Sequence, residues 1–405
     1  MTLDDRLRRT LPRRKLRIAM LSTPLVTAGG AERQFLEEAR SLRALGHDVT
    51  VLTFRLSTEA LAVAGVPRAD VTVLRARGGW PGRVLALRGA LKWLRPHVLV
   101  SHTSPEMTWI ATRLLGVRYV QYHNSPFYID SKANPYMASR HYRRIFPQLL
   151  HGAAGHAAFE KRPRLNPRRH VESELRTALK HRALRDAAAV IVPSQRTARE
   201  LRLLHGVEAT VVRGCLPATL LQRSAVATRS ASPTVLSVCR LEAVKRVDLL
   251  LRAFPEVLRH VPDARLEIAG KGPERAPLEA LARDLGIAGC VRFLGYVPED
   301  ELWQRYAAAH VFAAPAMADF NTAPYEALAM GCNVVWTTEM ETDAAIEASG
   351  RVFVAPPEKD AFAAALVAAL RAEVGARVDL ADMTWDGRAN KLDAIYARVT
   401  TRQAA

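Results

Sequence analysis

Residues 16–54 read LRIAMLSTPLVTAGGAERQFLEEARSLRALGHDVTVLTF. The apolar run at the front suits a strand buried on both faces of a parallel sheet. A turn follows at Thr27, Ala28, Gly29 and Gly30. Phe35, Leu36, Ala39, Leu42 and Leu45 then recur at helical spacing until Gly46 stops the helix, and DVTVLTF returns as a strand. Strand, glycine turn, helix and strand make a βαβ unit, whose right-handed crossover makes the sheet parallel. Working outward, PHVLVSH (96–102), RYVQYHN (118–124) and AAAVIVPS (187–194) read as later strands of that sheet.

Beyond Pro233 the alternation is regular. TVLSVC, RLEIAG, VRFLG, VFAAP, NVVWT and RVFVA are each separated by a helical stretch, which predicts a second doubly wound sheet. The expected fold is therefore α/β, with two Rossmann-like parallel-sheet domains and a cleft between them. The expected layout begins with a basic tail over 1–14 and a first domain over 15–221, interrupted by a basic helical excursion at 126–186. Residues 222–233, small and polar, are expected to be the linker. A second domain over 234–384 follows, then a C-terminal helix over 385–405 packing back toward the first domain. Ligands of such sheets bind at the carboxyl ends of the strands, so both domains are expected to aim their loops into the cleft.

Composition agrees with this size. The chain has 405 residues, 49% of them hydrophobic and 24% charged, which excludes a disordered chain. No apolar run reaches the roughly 18 residues of a bilayer span, and the N-terminus lacks a signal-peptide hydrophobic region. A cytoplasmic protein is the expectation. Cys215, Cys239, Cys290 and Cys332 form no C-x-x-C pair, so a zinc ribbon is excluded and buried thiols are expected. The net charge of +18 is uneven: residues 1–17 hold +5 of it and residues 131–185 hold +10. Charge so localised suggests an anionic partner, whether a phospholipid surface, a phosphorylated acceptor or nucleic acid; a solvated basic surface is the plain alternative.

Several segments could carry chemistry at strand ends. Arg240 stands just past one strand and Lys245 five residues on, a pair suited to a diphosphate. Gly270 and Gly272 follow the next strand, and Tyr296 and Val297 lie in a loop where a nucleobase would meet apolar faces and amides. In AMADFNTAPYEALAMG, the loop of Asp319, Asn321 and Thr322 leads into a helix, whose amides near Thr322 and Ala323 suit an anion. Glu326 lies in that helix's first turn, in position for a ribose diol. In the first domain, Gly29 and Gly30 permit close approach to a phosphate or sugar, and His123 and His102 end adjacent strands. Each feature also has an ordinary reading: surface cations, turns, a Glu that complements a helix dipole, a hydrogen-bonded histidine.

Together these segments resemble the family 4 glycosyltransferases, retaining enzymes of the GT-B fold. The resemblance rests on Gly29–Glu32, on Arg240 with Lys245, and on Gly270-Lys271-Gly272-Pro273. It also rests on Phe293-Leu294-Gly295 and on Tyr325–Ala329 followed by Gly331. It covers residues 15–125 and 187–400; residues 126–186 match nothing in it. The resemblance implies a nucleotide-sugar donor held mainly by the second domain. Arg240 and Lys245 bind its diphosphate, Glu326 the ribose, Thr322 and Ala323 the distal phosphate, and Tyr296 and Val297 the base. It implies that His123 reaches the donor sugar, that no metal or cofactor is needed, and that a sugar moves to a glycan or glycolipid hydroxyl. One departure stands out. The family's first glutamate of E-x7-E is Ala318 here, with Asp319 beside it, and Asn321 replaces the usual glycine. Asp319 supplies the carboxylate if the loop shifts by one residue.

Other classes fit less well. No helix-turn-helix, RRM, KH or zinc pattern supports a nucleic-acid-binding protein. No G-x-G-x-x-G with a later acid follows the first strand, against a nicotinamide oxidoreductase. A non-catalytic sugar-nucleotide binder, motivated by Ala318, is the main alternative, ahead of a nucleotide-sugar epimerase. The basic stretches fit a peripheral protein on the inner face of the cytoplasmic membrane.

Overall fold

The computed structural model of the protein describes residues 14–22, 25–26, 30–58, 61, 67–123, 139–149, 167–214, 216–223, 229–316, 321–340, 344–373 and 378–401. The first parallel sheet contains β1 (Arg17–Leu21), β2 (Asp48–Thr53), β3 (Val71–Val73), β4 (Val98–Ser101), β5 (Arg118–Tyr122), β6 (Ala189–Val192) and β7 (Thr210–Val211). Their order in space is β3-β2-β1-β4-β5-β6-β7. Its helices are α1 (Gly30–Ala44), α2 (Gly79–Leu94), α3 (Pro105–Thr112), α4 (Arg140–Leu149), α5 (Pro167–Arg185) and α6 (Gln195–His205), and α7 (Ala218–Arg223) follows. The second sheet runs β10-β9-β8-β11-β12-β13. It comprises β8 (Thr234–Val238), β9 (Arg265–Ala269), β10 (Val291–Gly295), β11 (Val311–Ala314), β12 (Asn333–Thr337) and β13 (Val352–Ala355). Around it lie α8 (Val247–His260), α9 (Arg275–Asp284), α10 (Glu299–Ala308), α11 (Ala323–Ala329), α12 (Ala344–Glu347) and α13 (Lys359–Arg371), and the chain closes with α14 (Trp385–Thr401).

The strands follow from the apolar runs: β4, β11 and β12 are buried along their whole length, as strands covered on both faces must be. Helix α1 buries Phe35, Leu36, Ala39 and Leu42 against the first sheet. It stops at Gly46, whose φ of +93° a residue with a side chain rarely adopts. Strands β3 and β7 were not legible in the sequence. With three and two residues at the sheet's edges, they are too short to show a period. Both sheets reverse strand order beside their first strand, between β1 and β4 and between β8 and β11. The crevice of a doubly wound sheet opens at the carboxyl ends of such strands.

The chain passes between the two sheet units twice, side by side. Leu216 N donates to Met383 O at 2.9 Å and Trp385 N donates to Leu216 O at 3.2 Å. Helix α14 then returns to the first unit, where Leu392, Ile395, Tyr396 and Val399 join the core of Phe35 and Leu36. It is fastened there by charge. Arg388 of α14 pairs with Glu38 of α1 at 2.8 Å, and both side chains are 1% exposed. Arg388 also donates to Val212 O at 2.7 Å, and Tyr396 donates its hydroxyl to Glu38 Oε1 at 3.3 Å. Burial opposes the Glu38 charge, but Arg388 and His102 outweigh it and draw the carboxyl down to about 2 from an ordinary 4.5.

Removing one partner of a buried ion pair strands the other, so Glu38→Gln should cost about 3–5 kcal/mol in urea unfolding. Because the folded pKa of Glu38 lies below the unfolded one, its contribution is whole above pH 4.5 and fades as pH falls toward about 2. The wild-type melting temperature should fall through that window, and the Glu38→Gln variant should lack this part of the decline.

Candidate active site

The residues singled out in the second unit sit on loops that leave its carboxyl edge. Arg240 and Lys245 follow β8, Gly270 and Gly272 follow β9, Tyr296 and Val297 follow β10, and Asn321 through Glu326 follow β11. Strands β8 and β11 are neighbours, so Lys245 and Glu326 flank the point where strand order reverses. Tyr306 donates its hydroxyl to Glu326 Oε2 at 3.0 Å, and burial together with that carboxylate raises the phenol's pKa. Burial raises the Cys239 thiol, and the nearby Lys245 works against it.

The loop from Cys239 to Arg246 is held from two sides. Gly270, at φ +142°, lies so close that a Cβ there would stand 1.8 Å from the Cys239 carbonyl oxygen. A Cβ at Gly272 would stand 2.2 Å from that of Leu241. The two glycines thus let the loop after β9 pack on the loop that carries Arg240, which their sequence reading as donor contacts did not include. From the other side, Arg246 adopts φ +49° at the start of α8, and its buried guanidinium makes a two-pronged bond to Glu339 at 2.5 and 3.1 Å. No sequence signal pointed to this pair, because 93 residues separate its members.

The charges differ in their state. Arg240 is 73% exposed and pairs with Glu242 at 2.8 Å, a surface bond that exchanges readily for a better anion. Lys245 is half-buried, and burial lowers its pKa. Burial raises the Glu326 carboxyl, against the lowering effects of the Tyr306 hydroxyl and Arg33. Tyr296 is 66% exposed, with the Lys271 ammonium 5.6 Å from its ring centre. Asn321 and Thr322 are half-buried, and Ala323 is buried as the first residue of α11. Asp319, like Ala318 beside it, lies outside the described residues, as does Gly29. Burial raises the thiol pKa of Cys239, Cys290 and Cys332, but only Cys332 is buried as expected; Cys239 and Cys290 are half-buried and Cys215 lies outside the described residues.

The first unit presents its own carboxyl edge. Gly30 opens α1 after β1, and His102 and His123 end β4 and β5, which are neighbours. His123 is half-buried, with its amide bonded to Ile191 O at 2.9 Å. His102 has a different place from its neighbour: it stacks on Tyr122 at 4.4 Å and leans on Glu38 at 3.8 Å, inside the core network. The edges of the two units meet. Arg33 of α1 pairs with Glu299 of α10 at 2.7 Å, and Arg33 also acts on Glu326.

Two family models match this chain, "Glycosyltransferase Family 4" over residues 28–214 and "Glycosyl transferases group 1" over residues 221–383. The chain belongs to these glycosyltransferases. Its structure superimposes on sucrose-phosphate synthase of Thermosynechococcus elongatus with a TM-score of 0.70, at 18% identity, covering 96% of this chain and 100% of that one. Anabaena HepE in complex with UDP-glucose gives 0.62 at 16% identity, over 96% and 99%. At such identities the likeness establishes the GT-B fold. Among curated sequences, a GDP-mannose-dependent alpha-(1-6)-phosphatidylinositol monomannoside mannosyltransferase of Mycolicibacterium smegmatis is 45% identical over 83 residues, 20% of this chain and 22% of that one. A D-inositol 3-phosphate glycosyltransferase of Corynebacterium urealyticum is 32% identical over 181 residues, 40% and 42%. The chain thus aligns with about a fifth of the first of these relatives and two fifths of the second.

In this glycosyltransferase Tyr306 gives the half-buried Glu326 carboxylate a hydrogen bond. Tyr306→Phe should cost about 0.5–1.5 kcal/mol in urea unfolding, the net worth of one such bond.

Proposed function

We propose that the protein is a retaining, metal-independent hexosyltransferase that moves a sugar from a nucleotide-sugar donor to a hydroxyl of a membrane glycolipid. The observation that carries this reading is the convergence of Arg240, Lys245 and Glu326 at one strand-order reversal, opposite Arg33 of the other unit. Arg240 and Lys245 take the donor's diphosphate. Lys245, whose charge burial disfavours, gains most from an anion beside it. Glu326 accepts the ribose hydroxyls, Thr322 and Ala323 meet the distal phosphate, and Tyr296 and Val297 flank the base.

In the reaction the bond from the anomeric carbon to the diphosphate breaks as the acceptor oxygen bonds to that carbon on the leaving-group face. The acceptor's proton passes to the departing diphosphate oxygen. Charge builds on the diphosphate, and cations already aimed at it lower the barrier without reorganising. His123 holds the donor sugar, and Asp319 takes the place of the missing family glutamate. The names of the sequence relatives support a hexose donor and an inositol-lipid type of acceptor, so GDP-mannose is the first donor to test. The basic stretches 1–17 and 131–185 support attachment to an anionic membrane surface from the cytoplasmic side. No helix among the described residues is long and apolar enough to cross a membrane.

The test begins with nucleotides. In EDTA, a nucleoside diphosphate at ~100 times its dissociation constant should stabilise the fold by about 2.7 kcal/mol. Loss of that effect in EDTA, with recovery on adding a divalent cation, contradicts the metal-free mechanism. Arg240→Ala and Lys245→Ala should each lower transfer about 10²-fold, the scale of one lost transition-state contact. Unchanged turnover in both removes the diphosphate from this loop. Asp319→Ala should impair transfer while leaving nucleotide binding in place. Nucleotide binding without transfer to any lipid acceptor favours the alternative, a sugar-nucleotide-binding protein that has lost catalysis.

A further inference from the structure

Helix α2 buries Val84, Leu87 and Leu91 on one side and turns an unusual face outward. Leu85 and Trp93, eight residues apart and so on one side of the helix, are 69% and 81% exposed, whereas Trp80 falls on the stripe of Val84, Leu87 and Leu91. Arg88 donates to the carbonyl of Arg113 at 2.5 Å and so draws the turn after α3 alongside. At that turn Leu114 is 90% exposed, held at a φ of +66° that a leucine rarely adopts. Single exposed hydrophobes are ordinary, but three large ones along one helix face and its neighbouring turn are not.

Charge surrounds them with one sign. Residues 75–95 contain Arg75, Arg77, Arg83, Arg88, Lys92 and Arg95, and neither Asp nor Glu. Indole rings prefer the headgroup level of a bilayer, leucines the acyl boundary beneath it, and Lys and Arg the anionic phosphates above. Nucleic acid would satisfy the arginines and stack on Trp93, but it offers nothing to Leu85 and Leu114. We propose that the outward face of α2, with the Leu114 turn, is a docking surface for an anionic phospholipid bilayer. Trp93 lies in the last turn of α2 and Leu114 precedes β5, so the surface lies toward the amino edge of the first sheet, opposite the edge that carries His123. The proposal goes beyond the glycolipid-acceptor reading and does not depend on it. It is separate from the basic stretches 1–17 and 131–185, which lie elsewhere in the sequence.

The experiment uses the full chain and vesicles of phosphatidylglycerol and phosphatidylcholine, with no donor present. Wild type should sediment with anionic vesicles, less with pure phosphatidylcholine, and be released by high salt. Leu85→Ser with Trp93→Ser should weaken vesicle binding about tenfold or more through lost apolar insertion, with an unchanged melting temperature. Arg83→Glu with Lys92→Glu should do the same on anionic vesicles alone. Should a variant misfold, fluorescence quenching by brominated lipid, compared between wild type and Trp93→Phe, reports insertion of Trp93 directly. Equal vesicle binding by wild type and both double variants overturns the surface. So does absence of Trp93 quenching, or binding of single-stranded DNA that these substitutions abolish. Transfer to a detergent-dispersed acceptor, measured on the same proteins, stands or falls with the proposed reaction and not with this surface.

Discussion

Arg388 and Glu38 have given up water for one another, and the path of the chain depends on that exchange. The pair is buried between the first sheet unit and a helix that follows the second in sequence. An isolated charge in such a place would be prohibitive, so neither residue is tolerable there without its partner. Arg388 also bonds to Val212 and lies over Tyr122, whose hydroxyl receives a hydrogen bond from Gln34. One ion pair therefore orients α1, the end of β5 and α14 together. As α1 carries Arg33 to Glu299, the same network sets how the first unit's edge meets the second.

A second buried pair does similar work within the second unit. Arg246 and Glu339 pin the start of α8, in a left-handed conformation, to the loop after β12. Gly270 and Gly272 close the other side of the same loop by lacking a side chain. What remains open between these supports is the segment with Arg240 and Lys245. The cations proposed for the diphosphate are thus carried on a braced loop, the condition for electrostatic stabilisation without reorganisation. Arg240 stays exposed and exchangeable, whereas Lys245 is partly withdrawn from water.

The strands and helices of both sheets were legible because their signals are local. The apolar runs of β1, β4, β11 and β12 and the spacing in α1 follow from burial on both faces or on one. Strand ends marked Arg240, Lys245, His123 and Glu326 as candidates, since a doubly wound sheet puts its chemistry at those ends. Strands of two or three residues at the edges gave no such signal.

The amino-acid sequence by itself determined the two parallel sheets, the loops that bear the candidate site, and the family, because each depends on neighbours within a few dozen residues. Tertiary structure alone decided that His102 belongs to a core network and that Tyr306 serves Glu326. It also decided that Gly270 and Gly272 support the loop of Arg240. It likewise placed Leu85 and Trp93 outside and Leu87 and Leu91 inside one helix that carries apolar residues on both sides. The physical reason is the same in each case. Burial and pairing are properties of two surfaces brought together, and residues 93 or 350 apart do not announce in the chain that they will meet.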